Sequence, residues 1–314
     1  MKTLDQLLGI QYPVIVAPMF LISNTKMIKV ALDCGVTAAF PALNYRTDNE
    51  LREAIADIKA HSDKPFGVNL IVNKSNPKYK GQLKTLIELK VPYIITSLGS
   101  PREVIEQAHK VGTKVFCDVV DLKFAKKVED LGADGIIAVN NKAGGHCGPQ
   151  SPEELIKELT DNCSIPIISA GGVATSIDII QAIKYGAAGV QVGTIFIACN
   201  EATISEDYKN AMVNYGEKDI ILSTKISGSA LTVINTPYVQ QVGTKKNFLE
   251  WLLKNNKWLK KYIKMLIMYL GTKKIEKAAF GSSYQNVWVA GPSIESVKAI
   301  RPLKAIINDL VMDL

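Results

Sequence analysis

The chain has 314 residues, 47% of them hydrophobic, and a formal net charge of +7. These values exclude an intrinsically disordered chain and allow a large buried core. The longest apolar runs fall far short of the ~20 residues that a membrane-spanning helix needs. Five scattered cysteines form no C-x-x-C pair, which argues against a disulfide framework or a zinc site. Because the N-terminus also lacks a signal-peptide pattern, we expect a cytoplasmic protein without a metal site.

Short apolar runs, each rich in Val and Ile and about as long as a strand, recur along the first two thirds of the chain. They cover residues 14–17, 36–40, 66–71, 93–96, 114–117, 135–139, 166–169 and 189–192. None of them alternates strictly between apolar and polar residues. This pattern is typical of parallel strands that are buried on both faces.

Helical patterns separate these runs, at residues 25–34, 48–60, 77–89, 101–111, 121–131, 151–159 and 175–185. Several begin at Asp, Ser or Thr or carry Pro in the first turn, and several are followed by Gly, as helix ends commonly are. A strand–helix unit of about 25 residues that recurs eight times predicts a (β/α)₈ TIM barrel of the α/β class. The alternative is a doubly wound open sheet. It usually has fewer strands, and its G-x-G-x-x-G fingerprint does not follow the first strand here.

Residues 200–289 separate the eighth run from a last predicted helix at 294–310. We interpret this insertion as a mostly helical cap or substrate domain, with an irregular passage marked by Gly228, Asn235 and Pro237. A cap over the mouth of the barrel would exclude water from a site there. The barrel itself would then comprise residues 1–199 and 290–314.

A lysine-rich stretch at residues 254–277 lies within the predicted cap. Such a stretch is either a surface for an acidic partner or a solvated helix face. We favour the solvated face, because apolar residues at 251–266 supply a side that packs on the same molecule. We therefore expect neither a nucleic acid nor a membrane as a partner.

In a barrel of this type the chemistry lies at the carboxyl ends of the strands. The residues predicted to lie there are Ala17, Pro18, Met19, Asn69, Gly144, Gly145, His146, Gly171, Gly172, Gln191, Val192, Gly193 and Thr194. The run Ala143-Gly144-Gly145-His146-Cys147-Gly148 has a backbone that can approach a flat ligand closely. Because imidazole titrates near neutral pH, we predict that His146 is the acid or base of the site.

Two glycine turns, Gly171-Gly172 and Gly193-Thr194, follow the seventh and eighth strands and precede helical segments. Backbone amides at such turns form the usual phosphate site of this architecture. The absence of a G-x-x-x-x-G-K-[ST] motif argues against a nucleoside triphosphate. FMN fits best, with Ala17, Pro18 and Met19 against its ring and Asn69 at its polar edge. Pyridoxal phosphate is a less favoured alternative, with Lys142 as the nearest lysine for a Schiff base.

Six sequence pieces follow one another in an order known from one family: 16–19 (VAPM), 67–69 (GVN), 143–148 (AGGHCG), 170–173 (AGGV), 189–194 (GVQVGT) and 290–293 (AGPS). In these pieces the chain resembles the nitronate monooxygenase family, formerly called 2-nitropropane dioxygenases. Its members are FMN-dependent barrels related to the flavin-type enoyl-[acyl-carrier-protein] reductase. The resemblance implies that Asn69, Gly144, Gly172 and residues 191–194 contact FMN. It also implies that His146 faces the flavin and the substrate.

The resemblance implies oxidation of alkyl nitronates, and of nitroalkanes in the wider case, by O₂ to carbonyl compounds and nitrite. In that chemistry His146 would take the α-proton of a neutral nitroalkane or position the nitronate. The chain departs from the family at Lys142, where many relatives carry Glu, and at 227–230, where relatives often have Arg and Pro after a Thr-Gly. We interpret Cys147 as a packing residue.

Two other functions stay open from the sequence. One is an NAD(P)H-dependent enoyl-[acyl-carrier-protein] reductase, whose acidic carrier would suit the basic stretch at 254–277. The other is a flavin-binding protein without turnover, which an intact His146 in a capped site argues against. The leading interpretation requires a small-molecule substrate and O₂ as partners, and it leaves a homodimer open.

Overall fold

The computed structural model describes residues 2–73, 76–224, 230–243 and 287–314, and only the backbone of Val242. Its central feature is a closed barrel of eight parallel strands: β1 (Val14–Val16), β2 (Thr37–Pro41), β3 (Gly67–Ile71), β4 (Tyr93–Ser97), β5 (Lys114–Val119), β6 (Gly135–Val139), β8 (Ile167–Ala170) and β9 (Gly189–Val192). A two-residue strand, β7 (Gly145–His146), lies outside this barrel. β9 pairs with β1 in parallel and closes the ring. The predicted α/β barrel is confirmed, and each of the apolar runs corresponds to one strand.

The seven helices predicted between the strands are present: α2 (Thr25–Asp33), α3 (Asp48–His61), α4 (Tyr79–Glu88), α5 (Arg102–His109), α6 (Leu122–Asp130), α7 (Pro152–Asn162) and α8 (Ser176–Lys184). The described residues also form α1 (Leu4–Leu8) before β1, and α9 (Glu206–Asn214), α10 (Pro237–Val242) and α11 (Leu303–Leu310) after β9. Their starts follow ordinary capping chemistry. The Thr47 hydroxyl accepts a hydrogen bond from the Glu50 amide at α3, and Ser151 does the same for Glu154 at α7. Among the glycines predicted to end helices, Gly112 and Gly132 both adopt left-handed backbone angles.

The predicted last helix at 294–310 is wrong in its first half. Residues Pro292–Ser296 form a short 3₁₀ helix, and α11 begins only at Leu303. Between them Arg301 pairs with Cys199 in an isolated parallel bridge. Pro302 has no amide hydrogen and its ring blocks the preceding turn. The segment therefore cannot form one continuous helix, although its apolar residues recur at helical spacing.

The N-terminal end of the barrel interior is filled by side chains, which leaves the carboxyl end of the strands open for a site. α1, which the sequence analysis did not predict, buries Leu4 against the barrel interior and joins it through a bond from the Leu4 amide to the Ala188 carbonyl (2.8 Å). Tyr93 and Phe116 meet in the same layer with their ring centroids 5.3 Å apart. Gly67 makes room for them, because a Cβ there would lie 2.0 Å from the Tyr93 ring.

The insertion after β9 carries more than helix within its described part. Strands β10 (Ile220–Ser223) and β11 (Leu231–Ile234) run antiparallel, and β11 also pairs with β7. The predicted positions at Gly228 and 254–277 lie outside the described residues. The boundaries of the predicted cap therefore stay a prediction.

The statements that follow on membrane-spanning helices, metal-binding clusters and disulfides apply to the described residues alone. No helix among them is both long enough and apolar enough to cross a bilayer. The same residues contain no cluster of His, Cys, Asp and Glu suited to a metal ion. All five cysteines are free thiols.

Candidate active site

The loop after β1 lies directly beside the end of β9. The Ala17 amide donates to the Val192 carbonyl (2.8 Å), and a Cβ placed on Gly193 would be 3.5 Å from the Met19 sulfur. Ser23 holds this loop closed, because its hydroxyl accepts from the Met19 amide (2.9 Å) and donates to the Ala17 carbonyl (2.7 Å). The predicted residues of the first and eighth strands thus form one continuous edge of the barrel mouth.

The turn after β8 is formed by Gly171 and Gly172, which have φ angles of +117° and +81°. A Cβ on Gly171 would lie 2.4 Å from Asn140 Oδ1 and 2.5 Å from the Ala143 amide nitrogen, so no side chain fits there. Asn140 is buried, its amide donates to the Gly171 carbonyl (3.0 Å), and its Oδ1 accepts from the Lys142 amide (2.8 Å). Asn140 therefore joins the loops after β6 and β8, a role that the sequence analysis missed.

The late motif 290–293 packs against the same loops. The Gly291 amide donates to the Thr194 hydroxyl (3.0 Å), and a Cβ on Gly144 would lie 2.8 Å from that hydroxyl oxygen. A Cβ on Gly291 would in turn lie 2.8 Å from the Gly144 amide nitrogen. Three segments that are far apart in sequence meet here in close backbone contact, and this explains why glycine stands in two of them.

His146 stands at the mouth of the barrel on β7. Leu231 of β11 lies opposite it, and the neighbouring Gly145 amide donates to the buried Thr232 hydroxyl (2.9 Å). That hydroxyl donates in turn to the Ala143 carbonyl (2.9 Å). The insertion after β9 therefore holds the histidine loop from outside the barrel.

The electrostatic setting of this loop favours a neutral imidazole. His146 is exposed by surface area, yet the surrounding protein partly desolvates the ring, which lowers its pKa. The imidazole is then ready to accept a proton at neutral pH. Burial raises the pKa of the neighbouring Cys147 thiol, so its reactive thiolate is scarce and the packing role predicted for it is the better one.

Fewer backbone amides are available to bind an anion at the predicted phosphate site than the sequence suggested. The start of α8 is already satisfied, because the Asp178 carboxylate accepts from the amides of Ala174 and Thr175 (both 2.9 Å). Within the described residues the amides of Gly172 and Val173 have no hydrogen-bond partner. The alkyl stem of Lys142 lies across this turn, 3.0 Å from where a Gly172 Cβ would be. The Phe196 amide of the 3₁₀ turn Thr194–Phe196 already donates to the Gly193 carbonyl (2.9 Å), so the amides of Gly172, Val173, Thr194 and Ile195 remain for a phosphate among the described residues.

A row of polar side chains crosses the top of the barrel interior. Asn69 Nδ2 donates to Ser97 Oγ (2.7 Å) and to the Ile95 carbonyl (3.2 Å), and Ser97 Oγ donates to Asp118 Oδ2 (2.5 Å). Gln191 lies on the same inner face of β9, two residues after Gly189, which contacts Leu4 in the interior. Within the described residues, Asp118 Oδ1 and Gln191 Oε1 are buried without a hydrogen-bond partner.

These features fit a bound flavin. A flat ring needs the close backbone approach that Gly144 and Gly193 permit, and its polar edge would meet the unpartnered oxygens of Asp118 and Gln191. The open amides at Gly172 suit the phosphate of such a cofactor.

The sequence matches the model of the nitronate monooxygenase family over residues 1–313. The chain belongs to this family. Its members are flavin-dependent oxidoreductases, so the protein is an enzyme of that type.

Individual relatives carry the name of this family and other names. The chain is 31% identical over 239 residues to a (3aS,4S,5R,7aS)-5-hydroxy-7a-methyl-1-oxo-octahydro-1H-indene-4-carboxyl-CoA dehydrogenase of Rhodococcus jostii, a match that covers 76% of this chain and 67% of the relative. It is 26% identical over 273 residues to a nitronate monooxygenase of Paraburkholderia phytofirmans, covering 72% and 74% of the two chains. The structure of FabK from Thermotoga maritima superimposes with a TM-score of 0.85 at 26% identity, covering 99% of this chain and 96% of that one.

The site contains residues that the sequence analysis did not single out. Ser97 ends β4 and Asp118 is the last residue but one of β5, so a hydroxyl or charged residue near the carboxyl end of an apolar run was the available signal. Thr232 offered no such signal, because its role depends on a strand pairing between segments 87 residues apart.

Proposed function

We propose that this protein binds FMN and oxidises alkyl nitronates with O₂ to carbonyl compounds and nitrite. The observation that carries the proposal is the meeting at one barrel mouth of His146, the open glycine turn at Gly172 and the unpartnered oxygens of the upper interior. Family membership supplies the reaction type.

In the proposed complex the phosphate is held by the amides of Gly172, Val173 and Thr194. The positive charge of Lys142, whose stem lies along this turn, adds to their attraction. Ala17, Pro18 and Met19 line one edge of the ring, while Gly144 and Gly145 allow the loop after β6 to approach it. Asn69 gives both amide hydrogens to the protein, so it offers its oxygen to the ligand. FMN supplies the chemistry of taking electrons from the substrate and passing them to O₂.

His146 is the proton acceptor in this proposal. As a neutral imidazole it accepts the α-proton of a nitroalkane, and the electron pair of the broken C–H bond moves into the nitro group to form the nitronate. A nitronate as the starting substrate needs no base, and the ring N–H of the neutral imidazole instead donates a hydrogen bond to its anionic oxygens. The neighbouring strand β11 keeps the imidazole in place during either task.

A second candidate is the oxidation or reduction of an acyl thioester, including the NAD(P)H-dependent enoyl-[acyl-carrier-protein] reductase expected as the alternative. The observation in its favour is the relative in Rhodococcus jostii, which is named as a dehydrogenase of a carboxyl-CoA compound. In this case His146 and the cofactor site keep their positions and the substrate differs.

Anaerobic reduction of the bound flavin separates the two candidates. The purified protein is titrated with propyl-2-nitronate and, in a separate cuvette, with NADH, while the visible flavin absorbance is followed. Bleaching by the nitronate alone supports the proposed function, and bleaching by NADH alone supports the thioester reductase. Protein that is purified without flavin and binds none from solution contradicts both.

A further inference from the structure

Asp118 is a half-buried residue whose Oδ1 is shielded from solvent, and the proposed reaction has no use for its carboxylate. It lies two residues after Phe116 on β5, and because side chains alternate along a strand it shares the inner face with Phe116. Its neighbours across the barrel top include Ile137 and Val139, which are apolar. No ion pair to Asp118 occurs within the part of the chain that the structure describes.

Only one of the two carboxylate oxygens of Asp118 accepts a hydrogen bond from the described residues. Ser97 donates to Oδ2 at 2.5 Å, and Ser97 in turn accepts from Asn69 at 2.7 Å, so the row leads from Asp118 to a residue predicted to contact the flavin. The other oxygen, Oδ1, is inaccessible to solvent and has no partner among the described residues. Buried carboxylate oxygens in folded proteins are almost always paired, so an unpaired one at the edge of a ligand site points to the ligand as its partner.

The charge state of Asp118 supports this assignment. Burial raises the pKa of the carboxyl to about 6, and the hydrogen bond from Ser97 partly opposes this shift. Near neutral pH the group is therefore mainly ionised and brings a negative charge to the upper layer of the barrel.

We propose that Asp118 is a flavin-facing residue whose negative charge disfavours additional negative charge on the bound ring. This inference rests on the proposed FMN site. Electron uptake and the addition of anions both increase the negative charge of the flavin, so Asp118 makes the flavin harder to reduce and readier to return its electrons to O₂. A carboxylate held close to the ring in a poorly solvated site acts strongly, because little water screens it.

Sulfite is a direct probe of this charge, because it adds to oxidised flavin as an anion and bleaches the visible absorbance. We compare the sulfite dissociation constants of the flavin-loaded wild type, Asp118→Asn and Asp121→Asn at one pH. Asn has the shape of Asp without the charge. Asp121→Asn removes the same charge three residues away and keeps the helix cap, since Asn caps as well as Asp. We expect Asp118→Asn to bind sulfite about tenfold tighter or more and to have a higher midpoint potential of the bound flavin. The sulfite dissociation constant of Asp121→Asn should stay within about twofold of the wild-type value.

Equal sulfite affinity in Asp118→Asn and wild type would overturn the inference and leave the FMN site intact. A wild type that binds no flavin would instead contradict the proposed function. If Asp118→Asn is isolated without flavin, Ser97→Ala serves in its place, because it keeps the carboxylate but removes the hydroxyl that stabilises its charge. It should shift sulfite affinity in the same direction by a smaller factor, and no shift there overturns the inference as well.

Discussion

The hydroxyl of Thr232 offers a test of whether the insertion after β9 positions the histidine loop. Thr232→Val keeps the shape of the side chain but removes the hydrogen bonds with the Gly145 amide and the Ala143 carbonyl, both 2.9 Å long. Each buried backbone group left unpaired costs about 1–3 kcal/mol, so the loss of two such bonds should lower the free energy of unfolding by about 2–6 kcal/mol. Against a typical total of about 5–15 kcal/mol, the variant should still fold.

The matched control is Thr113→Val. Thr113 is also buried, and its hydroxyl donates a single bond of 2.8 Å to the Val91 carbonyl at the opposite, N-terminal end of the barrel. It should lose about 1–2 kcal/mol and keep its turnover. Urea denaturation gives the stability of both variants, and flavin content and nitroalkane oxidation give their function.

Thr232→Val should also lose activity, because a base displaced by about 1 Å can lose roughly 10²-fold in rate. We expect a loss of about tenfold to a hundredfold on neutral nitroalkanes with the flavin retained. A variant that is destabilised but turns over like wild type would show that β11 supports the fold without positioning His146. Unchanged stability would refute the energetic argument itself.

Further predictions concern the site and the barrel interior. His146→Ala should keep its flavin and lose about 10²–10⁴ of the nitroalkane rate, and equal turnover would remove its assigned role. Desolvation lowers the pKa of His146 below the ordinary value of 6.5, and the base is the deprotonated form. The wild-type rate should therefore rise with pH through a midpoint below 6.5 and then level off, and a midpoint above 6.5 contradicts this. Gly172→Glu should abolish FMN retention, and a fully loaded yellow variant would refute the phosphate placement. Gly67→Ala should cost about 3 kcal/mol or more in urea denaturation, because its Cβ would lie 2.0 Å from the Tyr93 ring, whereas Gly81→Ala on α4 meets nothing within 4 Å.

Much of the fold could be predicted because parallel barrels are built from local signals. Strands buried on both faces read as unbroken apolar runs, and helix starts such as Thr47 and Ser151 carry their own capping chemistry. The one helix predicted in the wrong place, at 294–310, shows the limit of periodicity, since Pro302 ends the pattern sterically while the apolar spacing continues.

The sequence alone determined which strand ends carry glycine and histidine, and thereby where a cofactor and a base would be sought. Only the tertiary structure decided how they are held, because Asn140, Thr232 and Gly291 act through contacts between segments far apart in the chain. The same holds for Asp118, whose unpaired oxygen exists only once β5 is closed into the barrel. Hydrogen-bond satisfaction and burial depend on what surrounds a residue in space, and sequence spacing does not contain that information.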